Sequence, residues 1–302
     1  MGIPATVKIV EVGPRDGLQN EKQPVPAAIK IELVHRLQDA GLTEIEVTSF
    51  VSPKWVPQMA DNAAVLAGIT RKPGVRYSVL TPNLQGYEAA VKSRPDEIVV
   101  FGAASEAFSQ KNINCSIAES IERFRPVVQA ALAQGLTVRG AISCAVGCPY
   151  EGEIAPERVE LVARLMHGIG VQHVGVADTI GVGTPLKVQR ALEAALKVYT
   201  IDQISGHFHD TYGMALANTL ASLQMGVWNF DTSVAGLGGC PYAKGATGNV
   251  ATEDVVYLLH GMGINTGIDL DKLLDAGKFI SDFLQRKPNS RAATALLNKR
   301  LD

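Results

Sequence analysis

The sequence has no long apolar run and no surplus of basic residues. No stretch reaches about 18 consecutive apolar residues, so we expect no membrane-spanning helix. The formal net charge of the 302 residues is −2, and no basic stripe favours DNA or RNA as a partner. With 46% hydrophobic residues, the composition is typical of a soluble, globular, enzyme-like protein.

Cysteine is also scarce. The four cysteines, Cys115, Cys144, Cys148 and Cys240, have no disulfide-framework spacing, and we expect reduced thiols in a cytosolic setting. Cys144 and Cys148 are not followed by a second Cys or His pair with zinc-site spacing, which indicates structural roles. A strand is predicted from Val7 onward, which leaves no room for a signal or transit peptide. We therefore expect a cytoplasmic protein.

Short β-rich runs alternate with longer amphipathic segments from end to end, a pattern typical of repeated βα units. We predict eight strands, over residues 7–12, 44–48, 76–80, 97–101, 137–143, 173–177, 203–209 and 229–235. We predict helices between and after them, over 27–40, 83–93, 117–134, 156–169, 185–198, 214–225, 252–261 and 270–285. The tail 287–302 is expected to be loosely attached.

Eight βα units of this length close into a barrel rather than an open sheet. The predicted fold is therefore α/β, a (β/α)8 TIM barrel with extra C-terminal helices. No low-complexity linker divides the chain, so we predict one catalytic domain over residues 1–302. The barrel should occupy about 7–265, and the helical extension about 266–302.

The predicted seventh strand carries two histidines, His207 and His209, two residues apart. In an extended strand this spacing directs both side chains to one face, which suits a single divalent cation. Such pairs are also common as structural features, so the hypothesis depends on partners elsewhere. The chemistry of these barrels lies at the carboxyl ends of the strands, where Arg15, Asp16 and Asn249 are also expected.

Two imidazoles, a carboxylate and an amide oxygen form a mixed nitrogen and oxygen ligand set, which suits Mg²⁺, Mn²⁺ or Zn²⁺. We assign Asp16, His207, His209 and Asn249 to this set. Arg15 would then neutralise an enolate oxygen that develops during bond cleavage. An internal Arg15–Asp16 ion pair that only closes the first loop is an open alternative.

Three further polar residues fall near the same rim. Glu46 would hydrogen-bond Arg15 or a metal ligand, and Asp178 is a similar case; each is alternatively a barrel-core carboxylate. Cys240 lies in a glycine-rich loop, where an accessible thiol would deliver a proton to a carbanion. A free cysteine packed under that loop is the alternative.

Six segments together resemble the 3-hydroxy-3-methylglutaryl-CoA (HMG-CoA) lyase family of metallolyase barrels. They are GPRDGLQNEK, EVTSFVSPKWVPQMAD, ISCAVGCPYEG, ADTIGVGTP, GHFHDTYGMALAN and VAGLGGCPYAKGATGNVATEDVVYLLHGMG. The resemblance extends over nearly the whole chain. It implies cleavage of HMG-CoA to acetyl-CoA and acetoacetate, with Mg²⁺ or Mn²⁺, in leucine degradation. An acyl-CoA thioester is thus the implied small-molecule partner.

The resemblance also implies roles for individual residues. The family's metal ligands fall on the four residues assigned above, Asp16, His207, His209 and Asn249. Its other active-site residues fall on Arg15, Glu46, Asp178, Cys240 and Glu253. The implied reaction is a reverse Claisen cleavage in which Asp16 or His207 takes the hydroxyl proton. Arg15 would stabilise the enolate, which would be protonated from the Cys240 side.

Alternatives remain open. A Claisen-condensing synthase or a hydroxy-oxo-acid aldolase would share the metal site, but the synthases commonly have a glutamate after the Arg-Asp-Gly triplet, where this chain has Leu18. A non-catalytic acyl-CoA-binding barrel is a more distant alternative. Some animal members end in a cysteine-containing tail with a peroxisomal address, whereas this chain ends NKRLD, so a bacterial-type cytoplasmic enzyme is expected. A homodimer is expected because it is the commonest oligomer.

Overall fold

Eight parallel strands form a closed barrel in the computed structural model, which describes residues 2–239 and 248–300. The strands are β1 (Lys8–Glu11), β2 (Glu44–Ser49), β3 (Arg76–Leu80), β4 (Glu97–Ala103), β5 (Thr137–Ser143), β6 (His173–Asp178), β7 (Ile204–Phe208) and β8 (Asn229–Thr232). Each strand pairs with its neighbours in chain order, and β1 closes the barrel on β8, with Lys8 in register with Asn229. The predicted (β/α)8 TIM barrel is confirmed.

The strand bounds follow the prediction closely except at β8. The bounds of β3 and β5 agree with it residue for residue. The predicted eighth strand runs to residue 235, whereas β8 ends at Thr232 and a short 3-10 helix, Val234–Gly236, follows it. Ala235 has a φ of 56° there. This left-handed conformation is incompatible with a continuing strand.

Eleven α-helices surround the barrel within the residues that the structure describes. They are α1 (Ala27–Asp39), α2 (Asn62–Gly68), α3 (Leu84–Ala90), α4 (Glu106–Ile113), α5 (Ile117–Ala133), α6 (Pro156–Gly168), α7 (Pro185–Leu196), α8 (Ala215–Gln224), α9 (Thr252–Gly261), α10 (Leu270–Phe283) and α11 (Arg291–Lys299). The predicted helices correspond to eight of these, whereas α2, α4 and α11 are not predicted. Over the described ranges, no helix combines the length and the apolar character needed to span a bilayer.

Helix α5 illustrates how the sequence builds the outer layer. A capping box between Ser116 and Glu119 starts the helix, because the two side chains satisfy backbone donors that have no partner inside it. Apolar residues then recur at helical spacing and face the barrel. Among them, Phe124 packs edge-on against Phe101 of β4, with ring centroids 5.3 Å apart. Gly135, with a φ of 74°, provides the left-handed residue that commonly ends a helix.

The end of β1 is tied to the end of the barrel's last strand through Glu11. This fully buried carboxylate accepts hydrogen bonds from Gly13 N at 2.7 Å, Val234 N at 2.9 Å and Thr252 Oγ1 at 2.6 Å. Burial raises the pKa of Glu11 to about 7. The five-residue π-helical turn Gly13–Gly17 follows directly, and its position over the barrel mouth is fixed by these bonds.

The C-terminal segment is attached to the barrel, so the expectation for 287–302 is wrong over its described part. Ser290 caps α11 by accepting from Ala293 N at 2.9 Å, and its hydroxyl donates to Asp254 of α9 at 2.7 Å. Asp254 also accepts from Ala292 N at 2.7 Å. These bonds hold the first turn of α11 against α9.

Candidate active site

Three of the predicted metal ligands meet at the carboxyl end of the barrel. One ligand atom each from Asp16, His207 and His209 lies within 4.8 Å of the others. Asp16 belongs to the turn after β1, and the histidines belong to β7 and the residue just beyond it. Since alternate residues of a strand point to the same side, both imidazoles reach the same carboxylate.

The fourth predicted ligand, Asn249, lies beside these three. Its Nδ2 donates to Asp16 Oδ2 at 2.9 Å and to the Leu237 carbonyl at 3.3 Å, and its backbone forms an isolated bridge with His209. Asn249 Oδ1 and His209 Nδ1 are buried, and neither has a hydrogen-bond partner in the described part of the chain. Buried polar atoms without partners are costly. A divalent cation between these donors fits this arrangement.

The structure also brings Arg15 and Glu46 to this cluster. Arg15 donates from Nη1 to Asp16 Oδ1 at 2.8 Å and from Nε to Glu46 Oε1 at 2.5 Å. Glu46 is only 1% exposed. The guanidinium of Arg15 is therefore held between two carboxylates, and one of these, Asp16, is a candidate metal ligand.

Two residues that the sequence analysis did not identify continue this chain of contacts into the barrel. Arg139 of β5 donates to Glu46 Oε2 and to Asp231 Oδ2 of β8, each at 2.9 Å, and its Nε lies 3.4 Å from Glu97. The same Asp231 oxygen lies 3.2 Å from His207 Nδ1. We call the connected set of charged groups the ion-pair network: Asp16, Arg15, Glu46, Arg139, Glu97 and Asp231.

Burial and charge together set the protonation of the ligands. Burial alone would raise the pKa of Asp16, but Arg15 and the two histidines outweigh it and hold that pKa well below its ordinary value. Burial and the neighbouring His207 lower the pKa of His209 to about 4. For His207, burial lowers the pKa, but Asp231 and Asp16 outweigh it and the net shift is upward. At neutral pH Asp16 is ionised and His209 is neutral, which are the forms that bind metal.

The carboxylates of Asp178 and Glu253 bond to loop backbone. Asp178 accepts from Val182 N at 3.1 Å and Gly183 N at 2.8 Å, and burial raises its pKa to about 6. Glu253 accepts from Ala235 N with both oxygens, at 2.9 and 3.0 Å, and burial raises its pKa to about 8. Among the described residues, no hydrogen bond joins either carboxylate to Arg15 or Asp16.

The cysteines fall into two groups. Cys240 lies outside the described residues. Cys144 and Cys148 are both buried, and Cys148 Sγ lies 2.9 Å from the hydroxyl oxygen of Ser105. This contact agrees with a packing role for Cys148.

Comparison with proteins of known sequence identifies the family. A family model described as HMGL-like matches residues 6–280. The cytoplasmic 3-hydroxy-3-methylglutaryl-CoA lyase of Mus musculus is 57% identical over 301 residues, which cover 100% of this chain and 88% of that protein. The 3-hydroxy-3-isohexenylglutaryl-CoA/hydroxy-methylglutaryl-CoA lyase of Pseudomonas aeruginosa is 58% identical over 299 residues, covering 99% and 100% of the two chains.

Solved structures give the same result. The crystal structure of hydroxymethylglutaryl-CoA lyase from Pseudomonas aeruginosa matches with a TM-score of 0.97 at 58% identity, covering 99% of this chain and 100% of that one. An HMG-CoA lyase from Acinetobacter baumannii, in complex with coenzyme A and 3-methylmalate, matches with a TM-score of 0.93 at 35% identity, over 98% and 96% of the chains. The chain therefore belongs to the HMGL-like family of TIM-barrel carbon–carbon lyases.

Proposed function

We propose that the protein is a divalent-metal-dependent lyase that cleaves HMG-CoA to acetyl-CoA and acetoacetate, a reaction of leucine degradation. One observation carries the proposal: Arg15 donates to Asp16 at 2.8 Å, while the ligand atoms of Asp16, His207 and His209 lie within 4.8 Å of one another. A cation site with a guanidinium beside it suits a carbon–carbon cleavage that forms an enolate, because both groups stabilise negative charge on oxygen. Membership of the HMGL-like family supplies the reaction class.

The cation would be held by Asp16, His207, His209 and the side-chain oxygen of Asn249. This ligand set suits Mg²⁺ or Mn²⁺. When bound, the cation would supply Lewis-acid polarisation of the substrate's oxygen atoms. The ion-pair network lies behind these ligands, where Arg139 holds Glu46 and Asp231.

The chain's own residues would move the proton and stabilise the developing charge. Asp16 or His207 removes the proton of the tertiary hydroxyl, and that oxygen becomes the ketone of acetoacetate. The electrons of the broken carbon–carbon bond pass to the methylene carbon of the acetyl-CoA enolate. Arg15 stabilises the enolate oxygen, and Glu46 holds the guanidinium from its other side.

Three further assignments complete the proposed site. Cys240 would protonate the enolate carbon, which converts it to the methyl group of acetyl-CoA. Asp178 and Glu253 would act indirectly, through the loops that surround the site. Their bonds to the amides of Gly183 and Ala235 support roles in shaping the loops after β6 and β8.

A second substrate is proposed from one relative. The Pseudomonas aeruginosa protein at 58% identity carries both 3-hydroxy-3-isohexenylglutaryl-CoA and hydroxy-methylglutaryl-CoA in its name. Both thioesters present the same tertiary hydroxyl to the metal site and differ in the substituent on that carbon. We therefore propose the isohexenyl thioester as a second substrate. The ratio of the kcat/KM values for this thioester and for HMG-CoA tests the proposal.

The cellular setting is also a proposal. A cytoplasmic location is supported by the name of the mouse relative at 57% identity, although the bovine relative at 58% identity is named mitochondrial. A small acyl-CoA is the proposed binding partner, without nucleic acid or membrane. The proposed homodimer is to be tested by sedimentation.

The test is acetoacetate formation by chelator-treated protein given HMG-CoA, with and without added Mg²⁺ or Mn²⁺. We expect cleavage to return with either metal. Folded, metal-loaded protein that forms no product would contradict the proposal. Condensation of acetyl-CoA with a 2-oxo acid, without thioester cleavage, would instead assign the protein to the sister synthases.

A further inference from the structure

Asp231 contacts a candidate metal ligand, although it belongs to no recognised motif. It lies on β8 in register with His207 of β7, and its side chain is only 4% exposed. Its Oδ2 lies 3.2 Å from His207 Nδ1. On the other side of the same ring, Nε2 lies 3.9 Å from Asp16 Oδ2.

The ionisation state of the Asp231 carboxyl determines which ring nitrogen of His207 carries the proton. Arg139 Nη1 donates to Asp231 Oδ2 at 2.9 Å, and a buried guanidinium keeps its partner carboxylate ionised. An ionised carboxylate only accepts hydrogen bonds. His207 Nδ1 must therefore be the donor, and in the neutral ring Nε2 is left with its lone pair on the side of Asp16.

Arg139 links this arrangement to the other half of the site. Its second terminal nitrogen donates to Glu46 at 2.9 Å, and Glu46 accepts from Arg15. One buried guanidinium therefore holds the carboxylate behind His207 and the carboxylate behind Arg15. Since Arg139 is 6% exposed at its side chain and reaches neither His207 nor Asp16 through a described hydrogen bond, it acts through its partners.

We infer that Asp231, held by Arg139, is a positioning residue that keeps the proton of His207 on Nδ1 and directs Nε2 toward the candidate metal cluster. Carboxylates behind a ligating histidine commonly fix its tautomer and orientation in this way. The inference deepens the proposed function and rests on its metal site, but its first test needs neither substrate nor metal.

That test is a two-bond ¹H–¹⁵N spectrum of the full-length, chelator-treated protein with ¹⁵N-labelled histidine, at a pH where the His207 ring is neutral. Assignment comes from the signal that disappears in His207→Gln. We expect the Nδ1–H tautomer in the wild type. The Nε2–H tautomer in the wild type would overturn the inference whatever any variant does.

The variants are Asp231→Asn and Glu97→Gln. The amide of Asp231→Asn can donate to Nδ1, so we expect the Nε2–H form to become populated and Mn²⁺ affinity, measured by electron paramagnetic resonance, to fall by about 10- to 100-fold. Glu97→Gln removes another carboxylate beside Arg139 at a position with no His207 contact, so tautomer and affinity should stay close to wild type. An Asp231→Asn protein with the wild-type tautomer and affinity would contradict the inference.

A conservative replacement of Asp231 and a measurement of Mn²⁺ binding by the wild-type protein separate the remaining outcomes. Asp231→Glu should recover at least part of the Mn²⁺ affinity, because it restores a carboxylate acceptor. Equal losses in Asp231→Glu and Asp231→Asn would indicate packing rather than positioning, which contradicts the inference. Wild-type protein with the Nδ1–H tautomer but no Mn²⁺ binding would support the positioning by Asp231 while refuting the proposed metal site.

Discussion

Asp16 is the residue on which the contacts of the candidate site converge. It accepts from Arg15 at 2.8 Å and from Asn249 at 2.9 Å. One of its carboxylate oxygens also lies within 4.8 Å of a ring nitrogen of His207 and of His209. Each neighbour on its own is compatible with a structural ion pair. Their combination indicates a cation site, because a carboxylate, two imidazoles and an amide oxygen form a mixed ligand set that suits a divalent cation.

Replacement of Asp16 by Asn should therefore remove metal binding and metal-dependent turnover together. The amide keeps the shape but has only one acceptor and no charge, so we expect Mn²⁺ affinity to fall by at least about 100-fold. Calorimetric titration measures this loss, and circular dichroism checks the fold. Asp202→Asn, a carboxylate that contacts Trp228, is the matched control. Unchanged Mn²⁺ affinity in Asp16→Asn would exclude Asp16 as a ligand.

Cys240→Ser tests the proposed proton donor. A serine hydroxyl is a much weaker acid than a thiol, so kcat should fall by about 100-fold, the lower end of the range for general acid catalysis. Substrate and metal binding should be retained. Cys115→Ser, at a buried position, is the control for loss of a thiol. Wild-type kcat in Cys240→Ser would refute the proposed role.

Glu253 should make the stability of the protein depend on pH in a defined direction. Burial raises its pKa from 4.5 to about 8, so between these values the folded protein binds a proton that the unfolded chain has released. The free energy of unfolding contributed by this group therefore falls as the pH rises through this window. Each pH unit changes its contribution to the folding equilibrium by up to about tenfold.

Glu253→Gln keeps the shape of the protonated acid and cannot ionise. Urea unfolding at pH 5, 6, 7 and 8 should therefore show that the variant gains stability relative to the wild type as the pH rises. Glu193→Gln, at an exposed position, should follow the wild-type curve. Parallel curves for Glu253→Gln and the wild type would show that Glu253 does not retain a proton in the folded protein.

At the scale of the elements, a strand or helix can be predicted when the residues that determine it lie close together in the sequence. The bounds of β3 and β5 are predicted from short β-rich runs between turn signals, and both agree with the structure. Helices α2 and α4 have only seven and eight residues, too few for a clear apolar periodicity. Helix α11 is not predicted because the bonds that hold its first turn to the barrel go to Asp254, on a different element.

The same distinction applies to the candidate site. His207 and His209 share one strand, so their spacing alone indicates a common face. Arg139 and Asp231 are the single charged residues of their strands, and their partners lie 93 and 24 residues away in sequence, at Glu46 and His207. Only the closed barrel brings these groups together. An inward-facing charge in a barrel strand is the signal that would have identified them.

Ser290→Ala tests how α11 is attached. The substitution removes the bond to Ala293 N and the bond to Asp254, so we expect a loss of about 1 kcal/mol, typical of an N-cap. Hydrogen exchange should accelerate within residues 291–299. The matched control is Ser116→Ala, which removes the N-cap of α5 and should leave exchange in α11 unchanged. Unaltered exchange in Ser290→Ala would mean that the cap does not fix this helix.

At the scale of the whole molecule, the candidate metal site lies across the closure of the barrel. Asp16 and Asn249 are 233 residues apart, and β1 pairs directly with β8 at the seam between the two ends of the chain. A cation bound by residues from the turn after β1, from β7 and from the segment after β8 would therefore join both sides of this seam. Metal binding should stabilise the complete barrel, not only its loops.

We expect Mn²⁺ at about 100 times its Kd to stabilise the chelator-treated protein by about 2.7 kcal/mol, provided that the unfolded chain binds it much more weakly. For a chain of this size the melting temperature should rise by about 5 °C. His209→Ala removes one ligand from the far side of the seam and should abolish the rise, whereas Asp202→Asn should retain it. Scanning calorimetry of the wild type, His209→Ala and Asp202→Asn, with and without Mn²⁺, measures these changes in melting temperature. An equal rise in His209→Ala would place the stabilising metal at another site and separate barrel closure from Asp16, His207 and His209.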